Sequence, residues 1–245
     1  MVYGRRVDVD LLPAGTAAPL LTYCDTTGER TVLSPADLGS WTARTANLLV
    51  DVCGLGPGSR AAVLLPPHWQ TAAVLLGAWS VGVSVSFDGW ATAGLPRVGV
   101  GSDGPFDVVF VAADRAGSWL EEVPEAPYRF VLFGDGPPTG DYRPFLEAVR
   151  AQDDRTPEYA RVRPADAATV DGTSYGVWRQ LADEIATMAG LTTGDRVLVD
   201  AADHEHPLKW LLAPLSAGAS VVLCAGLPPG TARARAAAEV ATRVL

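Results

Sequence analysis

The segment GLGPGSRAAVLLPPH at positions 54–68 returns 136 residues later as GLTTGDRVLVDAADH at 190–204. An ungapped self-alignment at that offset, from Ser40/Gly176 to Phe87/Leu223, matches 13 of 48 positions, where composition alone would give about three or four. The matches fall where backbone shape matters: Gly54/Gly190, Gly58/Gly194 and Gly82/Gly218, with Arg60/Arg196, His68/His204 and the run from Ser80/Ser216 to Val85/Val221. Two copies are too few for a solenoid, so the repeat predicts two similar lobes, with copies at about 34–87 and 170–223.

Each copy reads as helix, turn, strand, helix, strand. In the first, Ser34 is placed as N-cap, Pro35 at the first helical position, Asp37 in the first turn and Gly54 as the stop. In the second, Thr173 or Ser174 caps a helix whose apolar face is Val177, Leu181, Ile185 and Met188, with Gly190 as the stop. Strands are expected at Arg60 to Leu65 and Arg196 to Asp200, then helices at Trp69 to Ser80 and Pro207 to Ser216. Further strands follow at Val83 to Phe87 and Ala219 to Cys224. Gly82 and Gly218 stand at the helix-to-strand joints, where a left-handed residue is most useful. Strands alternating with helices at this spacing predict an α/β fold with mainly parallel sheets flanked by helices.

Between the copies, a linking α/β segment at about 105–150 contains FDVVFVA and YRFVLFG, which read as buried strands, bounded by loops at Gly99 to Pro105 and Gly134 to Asp141. The tail TARARAAAEVATRVL, 231–245, reads as a final helix. Trp41, Trp79, Trp178 and Trp210 fall at apolar helical positions and are expected in the core, while Trp90 and Trp119 near loops could line a groove.

Charge narrows the partners. The formal net charge is -9, and among 19 basic residues Lys209 is the only lysine, which excludes the basic footprint of a nucleic-acid binder. Cys24, Cys53 and Cys224 are an odd set without short spacing, fitting neither a disulfide framework nor a zinc site, and are expected to be reduced core residues of a cytoplasmic protein. The N-terminus lacks the apolar core of a secretory signal. The apolar run from Thr71 to Phe87 is broken by Gly77, Gly82 and serines and reads as a helix entering a strand, so no membrane insertion is expected.

With these segments in place, LSPADLGSWTARTANLLVDVCGLGPGSRAAVLLPPHWQTAAVLLGAWSVGVSVSF resembles the opening region of the adenylate-forming, AMP-binding superfamily that includes the acyl-CoA synthetases. The stretch LTTGDRVLVDAADHEHPLKWLLAPLSAGASVVL is similar to a later region of the same superfamily, whose large domain is itself built from two related lobes. The resemblance implies a single truncated AMP-binding-like domain over 1–245, corresponding to the N-terminal part of the large domain. The short pattern is also similar to that of an actinobacterial group of relatives of these enzymes, which implies a naturally short protein.

Active members carry a loop of the form TSGTTGxPKG between these regions, where backbone N–H groups, hydroxyls and a lysine cradle the ATP phosphates. Here that junction reads DAATVDGTSYGVWRQ, 166–180, which keeps Gly172, Thr173 and Ser174 as a degenerate cofactor-binding position but holds no lysine. A turn followed by a helix cap is the preferred reading of DGTSYG over a phosphate site. Active relatives also carry adenine- and ribose-binding motifs, a magnesium-binding glutamate and a catalytic lysine farther along, and this sequence ends before them. No catalytic residue is therefore assigned, and no cofactor is expected, with ATP or AMP and magnesium as the alternative.

The polar cluster DAADHEH, 200–206, would bring His204 and His206 to one face if extended. A third ligand at familiar spacing is missing, so no metal is assigned. The resemblance implies a substrate-pocket role for a histidine near this position, and loop polarity is the plain alternative. Glu121/Glu122 and Asp153/Asp154 read as solvated surface, no GxSxG elbow occurs, and VGVGSDG lacks the full dinucleotide fingerprint. The chain is thus expected to be a catalytically inactive binding or regulatory module with a small-molecule or protein partner. The alternative is an acyl-activating enzyme completed by a second chain.

Overall fold

A computed structural model describes residues 18–87, 104–116, 118, 123–134, 140–155 and 162–245. Trp90, Trp119, Glu121, Glu122, most of VGVGSDG and parts of both expected loops lie outside them. The described residues form two compact units, one holding Ser40–Pro66 and Ala73–Tyr175, the other Pro67–Ala72 and Gly176–Leu245 together with an N-terminal β-hairpin.

That hairpin is β1 (Leu21–Cys24) and β2 (Arg30–Leu33). Its turn is closed by the Asp25 carboxylate, which accepts from the N–H groups of Thr27 and Glu29 at 2.9 Å each. Helix α1 (Pro35–Asn47) follows and starts as a capping box: Ser34 Oγ accepts from Asp37 N–H at 3.2 Å while the Asp37 carboxylate accepts from Ser34 N–H at 2.9 Å. A π-helical turn, Leu48–Val52, carries it to Gly54. Then come β3 (Arg60–Leu64), α2 (Trp69–Ser80) and β4 (Ser84–Phe87), the linking elements β5 (Val108–Ala112), α3 (Ala113–Ala116), β6 (Tyr128–Leu132), β7 (Arg143–Pro144) and α4 (Phe145–Arg150). The chain continues through α5 (Tyr175–Met188), β8 (Arg196–Asp200), a π-helical turn Leu208–Leu212, α6 (Ala213–Ser216), β9 (Ser220–Cys224), α7 (Ala232–Ala238) and β10 (Arg243–Val244).

The first unit carries the sheet β4-β3-β5-β6-β7, parallel throughout; the second carries β10-β8-β9-β1-β2, parallel except where β1 meets β2. The repeat reappears in their registers. Arg60 faces Ser84 and Val63 faces Phe87 in one sheet; Arg196 faces Ser220 and Val199 faces Leu223 in the other, the same pairs displaced by the sequence offset. The loops agree as well: Ser84 N–H donates to Ser59 O at 2.9 Å and Ser220 N–H to Asp195 O at 2.8 Å.

At the joints, Gly82 and Gly218 adopt φ of +80° and +73°, the left-handed geometry that a Cβ opposes. A Cβ at Gly82 would lie 2.8 Å from the ring carbon Cγ of Pro57, whereas one at Gly218 would lie 3.2 Å from the Thr193 hydroxyl, a contact that a shift of a few tenths of an ångström relieves. Gly218→Ala is therefore expected to cost about 1 kcal/mol from the backbone alone and Gly82→Ala about 2 to 3. Denaturant midpoints of the two variants check the ordering.

Three expectations fail, each for a packing reason. The most deeply buried residues of α5 are Tyr175, Ala182 and Ala186; of the expected face Leu181 and Ile185 are half-buried, while Val177 is 48% and Met188 88% exposed. The buried face is thus rotated toward the alanines, and the ends of the expected stripe are left outward. Trp79 and Trp210 are core, yet Trp41 and Trp178 are only half-buried. The tail is not one helix, because Val240 turns to φ +53° and β10 then pairs with β8, covering an edge that would otherwise stay open. Among the described residues no helix is long and apolar enough to cross a membrane.

Candidate functional site

Residues 166–175 form a tight hairpin. Ala167 bridges Ser174 antiparallel, Thr169 lies parallel to Val85 of β4, and α5 begins at Tyr175, leaving Ser174 at the cap position. Within it, Ala168 N–H donates to Thr173 O at 2.8 Å, Gly172 N–H to Thr169 O at 3.0 Å and Tyr175 N–H to Asp166 O at 3.0 Å. The tip is closed by Asp171, whose carboxylate accepts from Thr173 N–H at 3.0 Å and from the Thr169 hydroxyl. The Thr169 hydroxyl and then the Thr173 N–H hold the Asp171 carboxyl below its ordinary value. Gly172 and Thr173 are thus brought together with an internal anion, and part of the N–H set that a phosphate would use is directed at it.

The hairpin has a counterpart. Val85 N–H donates to Ala168 O at 2.9 Å, and Val221, its partner in the repeat, donates to Leu20 O at 2.8 Å. Residues 167–174 therefore stand beside β4 as the β1–β2 hairpin stands beside β9, and both tips are closed by an aspartate. Each hairpin leads into the helix that opens a copy, α1 or α5. A hairpin with an aspartate-closed tip thus stands at the head of both α1 and α5.

His204 and His206 lie in the second unit. After β8 the chain turns at once, with His204 N–H donating to Asp200 O at 3.1 Å, so the alternation that would align the two imidazoles on an extended segment does not occur. His204 Nδ1 is buried without a hydrogen-bond partner. His206 opens the following π-helical turn: its Nδ1 accepts from Leu208 N–H at 3.4 Å, its carbonyl accepts from Lys209 N–H at 2.9 Å, and its ring meets Trp178 edge-on at 5.6 Å. The Trp210 indole, fully buried, donates to Glu205 O at 3.1 Å. Among the described residues no three His, Cys, Asp or Glu side chains converge to hold a metal.

Sequence reasoning missed the role of His68. It is the N-cap of α2: Nδ1 accepts from Gln70 N–H at 3.1 Å, which leaves Nε2 to carry the proton toward Glu29 Oε1 at 3.3 Å. The same Glu29 oxygen accepts from the Trp69 indole at 3.1 Å, and the Tyr23 ring packs on the imidazole at 4.1 Å. Burial lowers the His68 pKa to about 3, so the ring is neutral at pH 7. Since His206 caps its turn in the same way, the structural partner of His68 is His206 rather than His204; the loop after β8 is two residues longer. The signal was its position immediately before a long apolar helix.

No family model matches the sequence. A Mycobacterium tuberculosis protein described as a TIGR03089 family protein is 38% identical over 251 residues, covering 96% of this chain and 94% of that protein. Among solved structures, a Brucella canis acyl-CoA synthetase matches with TM-score 0.70 at 20% identity over 98% of this chain and 47% of its own. The acetoacetyl-CoA synthetase of Streptomyces lividans matches with TM-score 0.72 at 20% identity, over 93% of this chain and 40% of its own. The N-terminal domain of FACL13 from Mycobacterium tuberculosis matches with TM-score 0.69 at 15% identity over 98% of this chain and 62% of its own. The chain therefore spans about half the length of the solved synthetases it matches, and it shares their mixed α/β fold.

Proposed function

The chain belongs to the TIGR03089 family, and from that premise and the synthetase fold we propose that it is a non-adenylating binding or regulatory module on an acyl-CoA synthetase scaffold. We read residues 1–245 as one AMP-binding-like domain whose two copies descend from a duplicated unit.

The observation that carries this is the hairpin at 166–175. Adenylation concentrates negative charge on a transferring nucleotidyl group, and stabilising it requires donors or cations aimed at that charge. Here the tip presents the Asp171 carboxylate, with no lysine in the stretch, and directs the Thr173 N–H at that carboxylate. A triphosphate approaching Gly172, Thr173 and Ser174 would meet like charge. We assign His204 and His206 to the lining of a pocket for an acyl-like ligand, a reading supported by the buried Nδ1 of His204. The outward stripe with Val177 and Met188 supports a protein partner as well. A cytoplasmic setting completes this assignment, consistent with three free thiols.

The test is chemical: the purified protein is incubated with labelled ATP, magnesium and a panel of carboxylic acids, and the products are resolved for acyl-AMP. None is expected. Acyl-AMP formed by the isolated chain would overturn the proposal, and acyl-AMP formed only after a second chain is added would favour the split-enzyme alternative.

A further inference from the structure

Parallel pairing brings together two thiols that lie 200 residues apart in sequence. Cys24 ends β1 and Cys224 ends β9; they are register partners on adjacent strands, and their Sγ atoms are 3.0 Å apart in a hydrogen bond. Register partners on neighbouring parallel strands sit about 4.8 Å apart, inside the Cα separation of about 4.4 to 6.8 Å that a disulfide spans. Both thiols are free and buried, within a core cluster with Leu198, Val222 and Ala236 of α7. We propose that Cys24 and Cys224 form a peroxide-responsive dithiol, Cys24 being the attacked sulfur and Cys224 the resolving one.

The order follows from their surroundings. The hydrogen bond from Cys224, and after it the Arg235 guanidinium, lowers the Cys24 pKa, while the same hydrogen bond raises that of Cys224. Arg235 is held there by Glu239, whose carboxylate also takes Arg30 at 2.6 Å and Arg196 at 3.5 Å. When the pair gives up a proton, the negative charge therefore falls on Cys24, and that thiolate is the nucleophile. The Cys24 thiolate attacks one oxygen of a small hydroperoxide, the O–O bond breaks, and Cys24 sulfenic acid forms with hydroxide, or alkoxide, as leaving group. The Cys224 sulfur then attacks the Cys24 sulfur, the S–O bond breaks, and the Cys224 proton leaves with the hydroxyl as water. Two thiols are oxidised to one disulfide, and the peroxide is reduced. Cys53, the remaining cysteine, is buried alone with its pKa raised to about 11 by burial, and is the internal control.

Cys53→Ser protein is treated with limiting hydrogen peroxide under native conditions, quenched in acid and analysed by intact mass and peptide mapping. The expected product has lost two hydrogens, joins the peptides of Cys24 and Cys224, and reverts with dithiothreitol. In Cys224→Ser, a sulfenic-acid trap is expected on Cys24 about tenfold faster than on Cys53. Three outcomes overturn the proposal: a bridge that forms only in denaturant, intermolecular dimers in place of the internal bridge, or trapping of Cys224 in Cys24→Ser as fast as Cys24 in the converse variant. If Cys24→Ser and Cys224→Ser do not fold, the mapped bridge in Cys53→Ser decides alone.

Discussion

Acidification from pH 7.5 to 5 is expected to destabilise this protein well before its carboxylates titrate, and His68→Asn is expected to flatten that response. The folded pKa of His68, about 3, lies below the ordinary value of 6.5. Between those values the unfolded chain binds the extra proton, so stability is complete above pH 6.5 and falls as pH drops toward 3. The slope approaches 1.4 kcal/mol per pH unit, or about 2 kcal/mol by pH 5. Asn is among the best N-cap residues and can accept the Gln70 N–H, so the variant keeps the cap while losing the titrating ring and its packing on Tyr23. The variant is expected to be less stable at pH 7.5 and to keep only the part of the acid response that His206 contributes, whose pKa burial also lowers. Urea midpoints across this range test it, and parallel slopes for the two proteins would refute the neutral buried imidazole.

Trp210→Ala is expected to cost about 4 kcal/mol, the largest single loss among these predictions. The side chain is fully buried, and its indole N–H holds the Glu205 carbonyl, so truncation opens a cavity and frees the turn that carries His204 and His206. Trp210→Phe, which keeps most of the buried area, is expected to cost about 1 to 2 kcal/mol. In a chain of this length the two correspond to falls in Tm of about 8 to 16 °C and 2 to 8 °C. A loss below about 1 kcal/mol for the alanine variant would mean that the turn is not anchored as described.

What could be read from the residues was what the backbone dictates locally. Gly82 and Gly218 announce their left-handed joints, the Ser34 and Asp37 pair announces a capped helix, and the offset of the repeat reappears in the strand registers. What depends on the third dimension was not legible. The spacing of Val177, Leu181, Ile185 and Met188 marks an apolar stripe, but the buried face is rotated from it to Tyr175, Ala182 and Ala186, with Leu181 and Ile185 at its margin. Cys24 and Cys224 have no spacing that signals a pair, since parallel strands from opposite ends of the chain bring them together. At the candidate site the sequence marks a turn and a helix cap at Gly172 to Ser174, but the hairpin they belong to, the closing carboxylate of Asp171 and the likeness to the β1–β2 hairpin required coordinates. His68 matches His204 by sequence offset, whereas the Nδ1 contact to the N–H two residues on is shared by His68 and His206.

The central claim is that this scaffold no longer grips a triphosphate, and isothermal titration of the isolated protein with magnesium-ATP tests it most directly. No saturable binding is expected up to about millimolar nucleotide, a ceiling of about 4 kcal/mol in affinity. Stoichiometric, magnesium-dependent binding in the micromolar range, abolished by substitution within residues 171–174, would contradict it.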